Sequence, residues 1–449
     1  MEQKKLSFGT KTGYGICDLG GNMFFTIMGF FLLKFLTDNL LLGAGLAGTA
    51  IMIGKLWDAV SDPLMGNISD HTRSRWGRRK PYMLIGAVFM FLFMVILFLN
   101  PGIPSQAGLF IWAALIYCFL NTAYTMVNIP YGAMTPDLTM DYHERTSLNG
   151  YRMVFAVIGT FSGVGLYMIF VNQNSPGGGW PIMGAAAGGL MAATALITIF
   201  TVREPAVKHA TRRINLIQTY LSVFKVKPFL LILFPWALHI TGINIIQSVM
   251  LYYFTYIYGD PQLFNIALFL LLGSALLFIP IWVLVSKKLG KKWSYNIGMG
   301  IFILAVMLFF LFGQQLGPYF AFVAMALAGM GFATQYVMPW AILPDVVEYD
   351  YAHNGVRREG VFYGMMTLVS KVGQALGLFL TGWLLNFFGY QPNAEQTDLS
   401  KLGIKILAGP VPALFFVLGI LVLTFYPISQ KVFREIMRKN RERDTGAQA

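Results

Sequence analysis

Polar residues are sparse along the chain, and between them lie twelve apolar stretches. They cover 14–37, 45–68, 81–99, 107–132, 149–171 and 181–202, then 228–257, 263–285, 293–313, 319–341, 361–388 and 408–428. Each approaches or exceeds the roughly 20 residues with which a helix crosses ~30 Å of hydrocarbon. The alternation of apolar and polar positions that marks a barrel strand is absent. The pattern predicts an all-α membrane protein with twelve transmembrane helices, because helices satisfy their backbone groups internally where lipid offers none.

Composition supports this reading. Of 449 residues, 56% are hydrophobic and 12% charged, with mean hydropathy +0.61, which argues against a water-soluble fold. A formal charge of +13 would suggest a nucleic-acid partner, but its distribution removes that option. Of the 33 Lys and Arg, 27 fall on the termini and one alternating set of loops, two (Lys401 and Lys405) on the other set, and four (Lys34, Lys55, Arg152 and Lys371) inside spans. By the positive-inside rule both termini and the central loop are cytoplasmic, which predicts a multi-pass protein in contact with membrane lipid. Met1 to Lys11 lacks the apolar core of a signal peptide, so the first helix is expected to stay in the mature protein. Cys17 and Cys118 lie inside apolar stretches and offer neither a disulfide framework nor a zinc motif. No HExxH, GxSxG or paired Cys/His is visible, so neither an enzyme nor a cofactor is expected.

The two halves echo each other. The stretch from Gly66 through Asp70, Arg73, Arg75, Gly77, Arg78 and Arg79 to Lys80 follows the second span. Ser286-Lys287-Lys288-Leu289-Gly290-Lys291-Lys292 follows the eighth. Pro130 to Pro136-Asp137 closes the fourth span, as Pro339 to Pro344-Asp345 closes the tenth. The expected organisation is a six-helix bundle over 1–202, a cytoplasmic loop over 203–227, a second bundle over 228–428 and a basic tail over 429–449. Six plus six spans in one orientation resemble the parallel pseudo-repeat of major facilitator transporters, which hold substrate at the midplane between halves.

A narrower resemblance rests on Tyr14-Gly15, Asp18-Leu19-Gly20-Gly21-Asn22, Thr37-Asp38, Trp57-Asp58-Ala59-Val60-Ser61-Asp62-Pro63, Thr72-Arg73-Ser74-Arg75-Trp76-Gly77, Asn128-Ile129-Pro130-Tyr131, Arg152 and Lys371. With these the chain resembles the glycoside-pentoside-hexuronide:cation symporters, the group that contains melibiose permease.

Asp58 and Asp62 are four residues apart and so stack on one helix face. Two carboxylates at low dielectric repel, and a shared proton, a bound cation or a neighbouring Lys or Arg must hold them. Ser61 and Thr125 can add hydroxyl oxygens, and the resemblance implies that Asp58, Ser61, Asp62 and Thr125 hold the cation, Na⁺ at Asp58 and Asp62 being one option. Melibiose permease has Asn at the Ser61 position, so a proton on Asp62 is the other. The alternative is that Lys55, at i−3 from Asp58, pairs with the acids to hold helices together. Lys55, Arg152 and Lys371 balance Asp18, Asp58 and Asp62 in number.

The resemblance further implies that Asn22, Asn128 and Arg152 occupy sugar-binding positions, the first two with amides where melibiose permease has carboxylates. Asp18, one turn before Asn22, is a replacement carboxylate or a group that caps the first helix. Tyr124 lies one turn before Asn128 on the same face, and Pro130 kinks the helix. Gly132 stands where the family has a stacking tryptophan, and Tyr336 or Trp340 can compensate or merely pack. Thr367 lies one turn before Lys371. Lys34 is expected to snorkel to the outer interface, and Gly54, Gly159, Gly163 and Gly165 to permit close helix packing. His239 is a packing or pocket residue.

Asp70, Arg73, Arg75, Arg78 and Arg79 suit a cytoplasmic gate closing on Asp137, Glu144 or Glu359, in addition to setting topology. The expected function is Na⁺- or H⁺-coupled import of a glycoside, pentoside or oligosaccharide by alternating access, with a monomer as the functional unit. A carrier of a non-sugar amphiphile such as a lysolipid is the alternative.

Overall fold

The computed structural model describes residues 6–72, 74–139, 141–171, 176–202, 222–355 and 358–446. All regular structure among them is helical. Helix α1 runs over Phe8–Phe30 and, after a 49° bend, over Leu32–Asn39. It is followed by α2 (Ala44–His71), α3 (Lys80–Leu97), α4 (Gln106–Leu138), α5 (Tyr142–Phe170) and α6 (Trp180–Thr201). The later helices are α7 (Lys227–Tyr256), α8 (Gln262–Leu289), a 64-residue run over Lys291–Asn354, α11 (Glu359–Phe387), α12 (Asp398–Ala408 and Pro410–Thr424) and a tail helix α13 (Gln430–Gly446). Gly317, at φ 76° and ψ −169°, breaks the long run immediately before Pro318; the part before it is α9 and the part after it α10. Among the described residues nine helical segments are by themselves long and apolar enough to cross a membrane, and the bent α1 is a tenth. The polar α2 and the break at Gly317 bring the crossings to the expected twelve.

Helix starts follow local chemistry. Ser7, Ser105, Asp141 and Thr397 each accept a backbone N–H of the first turn of α1, α4, α5 and α12. Gly177, Gly178 and Gly179 take φ of 62°, 66° and 78° in the turn before α6. A Cβ on Gly179 would lie 1.7 Å from the Phe170 carbonyl oxygen, so only glycine fits. The loop expected over 389–407 is helical from Asp398, because the Thr397 cap and a buried stripe of Ser400, Gly403, Ile404 and Leu407 start α12 early. Leu277, Phe200, Phe387 and Phe425 turn large apolar surfaces outward, as lipid contact requires.

The chain divides into two compact units, Met1–Arg212 with Leu378–Glu395, and Arg213–Gly377 with Gln396–Ala449. The far end of α11 thus belongs to the first unit. There Trp383 donates its ring N–H to Thr49 at 3.0 Å, and Gly48 meets Gly382 closely enough that a Cβ would collide. Gly54, Gly159 and Gly163 face side chains or backbone of neighbouring helices as expected, whereas Gly165 faces open space.

Candidate functional site

In the first unit α2 and α4 bring the cation-binding candidates together. The Thr125 hydroxyl lies 3.0 Å from Asp58 Oδ1 and 3.0 Å from Asp62 Oδ1. Ser61 Oγ is 3.3 Å from the same hydroxyl and 3.2 Å from the Asp58 carbonyl. Asp58, Thr125 and Ser61 are buried and Asp62 half-buried. A hydroxyl carries one proton and satisfies one carboxylate at a time, so the second contact calls for a proton, a cation or a positive side chain. Lys55, also buried, points its ammonium over the rings of Phe25 (5.0 Å) and Phe24 (5.8 Å) of α1. Among the described residues no three His, Cys, Asp or Glu side chains gather to hold a metal; this site is a carboxylate pair supplemented by hydroxyls.

A second cluster joins α1, α4 and α5. Arg152 donates from Nε to Asp18 Oδ2 at 2.6 Å and from Nη2 to Oδ1 at 3.3 Å. Tyr131 donates its hydroxyl to the same Asp18 Oδ2 at 2.6 Å. The guanidinium stands over the Tyr131 ring at 5.0 Å and the Tyr14 ring at 5.9 Å, and the two rings pack with centroids 4.6 Å apart. Tyr14 in turn donates to the Tyr131 carbonyl at 2.9 Å and touches the Thr135 hydroxyl. Asp18 is therefore an ion-pair partner inside the bundle rather than a helix cap. Tyr14 and Tyr131 are members that the sequence motifs alone leave unassigned; the signals for them are the one-turn spacing from Tyr14 to Asp18 and the position of Tyr131 directly after Pro130.

Asn22 spends its amide on the Asp18 carbonyl at 2.9 Å. Tyr124 is buried, stacked on Phe24 at 4.5 Å and set edge-on to Phe25 at 5.4 Å. Asn128 is half-buried one turn further along the same face, and a Cβ placed on Gly132, a turn beyond, would meet nothing within 4 Å. Lys34 departs from expectation. It is buried and paired with Asp38, which also accepts from Thr37 at 2.7 Å and from Tyr390. A carboxylate one turn away holds the ammonium inward more strongly than the interface draws it out.

The other candidates lie in the second unit. Trp340 stacks on Tyr363 at 6.2 Å with an interplanar angle of 15° and meets Trp236 edge-on at 5.6 Å. Tyr336 is exposed, and Thr367 donates to the Tyr363 carbonyl at 3.1 Å, while Lys371 is buried. His239 is fully buried and bonded to the Tyr295 hydroxyl at 2.7 Å, which donates to Gln335 Oε1 at 2.5 Å.

At the end of the first unit where α3 begins and α4 closes, Asp137 takes Arg78 Nη2 at 2.8 Å and Arg79 Nη1, and Arg79 Nη2 also reaches Asp70 at 3.5 Å. Glu144 instead bonds Lys11 at 3.0 Å and the Leu6 backbone N–H. Arg75 is exposed, Glu359 is exposed at the start of α11, and Arg73 lies outside the described residues, as does most of the expected loop 203–227. In the second unit Lys291 bonds Asp345 at 2.8 Å, and Arg358 bonds Asp350 at 2.6 Å. The tail, expected as an amphipathic or disordered basic segment, is helix α13. It docks through Asn440 onto Glu348 (2.8 Å) and through Arg443 onto the Tyr351 carbonyl (3.1 Å).

Comparisons with known proteins follow the same lines. Residues 13–430 match the model of the family described as MFS/sugar transport protein. An uncharacterized symporter of Synechocystis sp. is 31% identical over 98% of this chain and 97% of its own length. A glucuronide carrier protein homolog of Escherichia coli is 28% identical over 97% and 95%. A putative sulfoquinovose importer, also of Escherichia coli, is 28% identical over 98% and 96%. Among solved structures, a D-xylose-proton symporter has the same fold, with TM-score 0.65 and 16% identity over 94% of this chain and 96% of that one. The chain thus belongs to the MFS/sugar transport protein family, the glycoside-pentoside-hexuronide type of the major facilitator superfamily, and is a multi-pass membrane symporter.

Proposed function

We propose that the protein imports a glycoside, pentoside or oligosaccharide across a bacterial inner membrane, coupled to Na⁺ or H⁺ and by alternating access, with both termini cytoplasmic. The observation that carries the coupling is the Thr125 hydroxyl shared at 3.0 Å by Asp58 and Asp62. Such a pair is stable with a proton or cation between its members and repulsive without one, so cation entry and exit change the energy of this helix contact. Substrate recognition falls to Arg152, Asp18, Asn22 and Asn128, which offer the donors and acceptors that sugar hydroxyls need, a reading supported by the likeness to a glucuronide carrier protein homolog and a putative sulfoquinovose importer. Tyr124, Tyr336, Trp340, Thr367 and Lys371 are further candidates for the substrate. Asp70, Arg78, Arg79 and Asp137 serve as a cytoplasmic gate, and Arg73, Arg75, Glu144 and Glu359 are further candidates for that role.

Uptake into proteoliposomes tests the coupling. Asp62→Asn is expected to abolish accumulation driven by a cation gradient and to retain substrate counterflow, because the neutral amide imitates the loaded pair. Accumulation equal to that of the unaltered protein would overturn the assignment.

A further inference from the structure

Neither the carboxylate pair on α2 nor the Arg152 cluster uses Thr37-Asp38, one of the motifs that carry the family resemblance. There the ladder of α1 gives way to a π turn over Phe35–Asn39, an irregularity that recurs at functional sites. The Asp38 carboxylate accepts from Lys34, Thr37 and Tyr390, and the Asp38 backbone carbonyl accepts from Asn393 Nδ2 at 2.5 Å. Lys34 and Thr37 stand on α1 beside Asp38. Tyr390 and Asn393 come from the segment after α11, 352 and 355 positions further along the chain. Tyr390 is buried, and Asn393 takes φ 55°, a left-handed conformation that Asn tolerates better than most residues.

Further contacts tie the same end of α11 to the start of α2. Trp383 donates its ring N–H to Thr49 at 3.0 Å. A Cβ on Gly48 would lie 2.9 Å from the Leu378 carbonyl oxygen, and one on Gly382 would lie 2.4 Å from that of Ala44. By sequence α11 belongs to the second half, yet its last turns and the segment up to Glu395 are part of the first unit. The loops at this end, 38–44 and 389–407, carry Lys401 and Lys405 as their only basic residues, which puts them outside by the positive-inside rule. A carrier that rocks one half against the other must part these contacts whenever its site faces outward.

We infer that Tyr390 and Asn393, closing on Asp38, are the latch of the outer gate, and that parting this contact opens the site to the outside. The inference rests on the symport reading and the orientation proposed above. The distribution of charge suits a contact made and broken in every cycle. Lys34 and Asp38 are one turn apart on a single helix, so their ion pair stays whole when the loop departs. A phenol and an amide leave, and both are neutral groups that water can rehydrate. A Lys or Arg in place of Tyr390 would have to pull a charge away from its partner at every turnover. While the gate is shut, the ionised Asp38 strengthens the bond from Tyr390 beyond that of a neutral pair.

The test follows the reaction of Thr49→Cys, which lies against Trp383, with a membrane-impermeant maleimide in whole cells and in inside-out vesicles. The chain without Thr49→Cys gives the background from Cys17 and Cys118. Adding Tyr390→Phe is expected to raise the labelling rate from outside roughly fivefold or more, because one charge-assisted bond of the closed state is gone. Asn393→Gly keeps the positive φ and is expected to raise it by a smaller factor. Melting temperatures identify a variant that is merely misfolded, and the other variant then carries the comparison. Unchanged outside labelling in a folded Tyr390→Phe would overturn the latch and leave symport intact. A rise that is equal from both sides would mark a loosened bundle and overturn it too. Labelling of Thr49→Cys in inside-out vesicles alone would instead overturn the proposed orientation.

Discussion

Asp137 and Asp345 occupy equivalent places in the two halves, each following the second of two prolines near the end of its helix and each paired with a cation at the start of the preceding one. Asp137 takes Arg79 and Arg78 at the head of α3, and Asp345 takes Lys291 at the head of α9. The pairs differ in burial. The Arg79 side chain is 5% exposed and that of Lys291 40%.

Burial makes the two removals unequal. Asp137→Asn strands a buried guanidinium beside a distant Asp70 and is expected to destabilise by about 3 kcal/mol. Asp345→Asn leaves Lys291 hydrated and bonded to the Ala341 carbonyl, so its expected cost is under about 1 kcal/mol. Thermal melting of both variants in the same detergent checks the order, and equal losses would contradict it.

Arg152 is held by one carboxylate and two aromatic faces, a geometry that only a planar guanidinium fills. Arg152→Lys is expected to bind substrate nearly as poorly as Arg152→Ala, with at least a tenfold weaker affinity by calorimetry. Asp18→Asn keeps the shape and one acceptor and is expected to be the milder change.

The open space beside Gly132 leads to a gain-of-function expectation. Gly132→Trp is accommodated without a clash at Cβ and places an aromatic face next to Asn128, so glycoside affinity is expected to rise several-fold. Titration calorimetry of the two proteins decides it, and a folded variant with weakened binding would show that the face points elsewhere.

Outside the membrane, the bond from Lys11, helped by the Leu6 backbone N–H, holds the Glu144 carboxyl below the usual carboxylate range. A depressed folded pKa gives stability that is present above the ordinary carboxylate range and lost as pH falls through the depressed value. Melting temperature is therefore expected to fall on acidification below about pH 4, and less steeply in Glu144→Gln. Coincident acid limbs would remove Glu144 from the cause.

Twelve crossings, the internal repeat and the family are legible in the amino-acid sequence alone. These depend on composition over about twenty residues at a time and on motifs within one turn or loop, which local chemistry dictates. The i, i+4 spacing of Asp58 and Asp62 fixes a shared helix face, and the family resemblance names Thr125, whose hydroxyl lies 3.0 Å from both carboxylates. The folded molecule alone reveals that Asp18 pairs with Arg152, that Lys34 turns inward to Asp38 and that α12 starts within an expected loop. The Lys34 and α12 outcomes are local contests won by a carboxylate one turn away and by the Thr397 cap, whereas the Asp18 pair is a matter of which helix faces which and at what register. Apolar patterning cannot encode that in a bilayer, where lipid-facing and protein-facing sides are equally greasy.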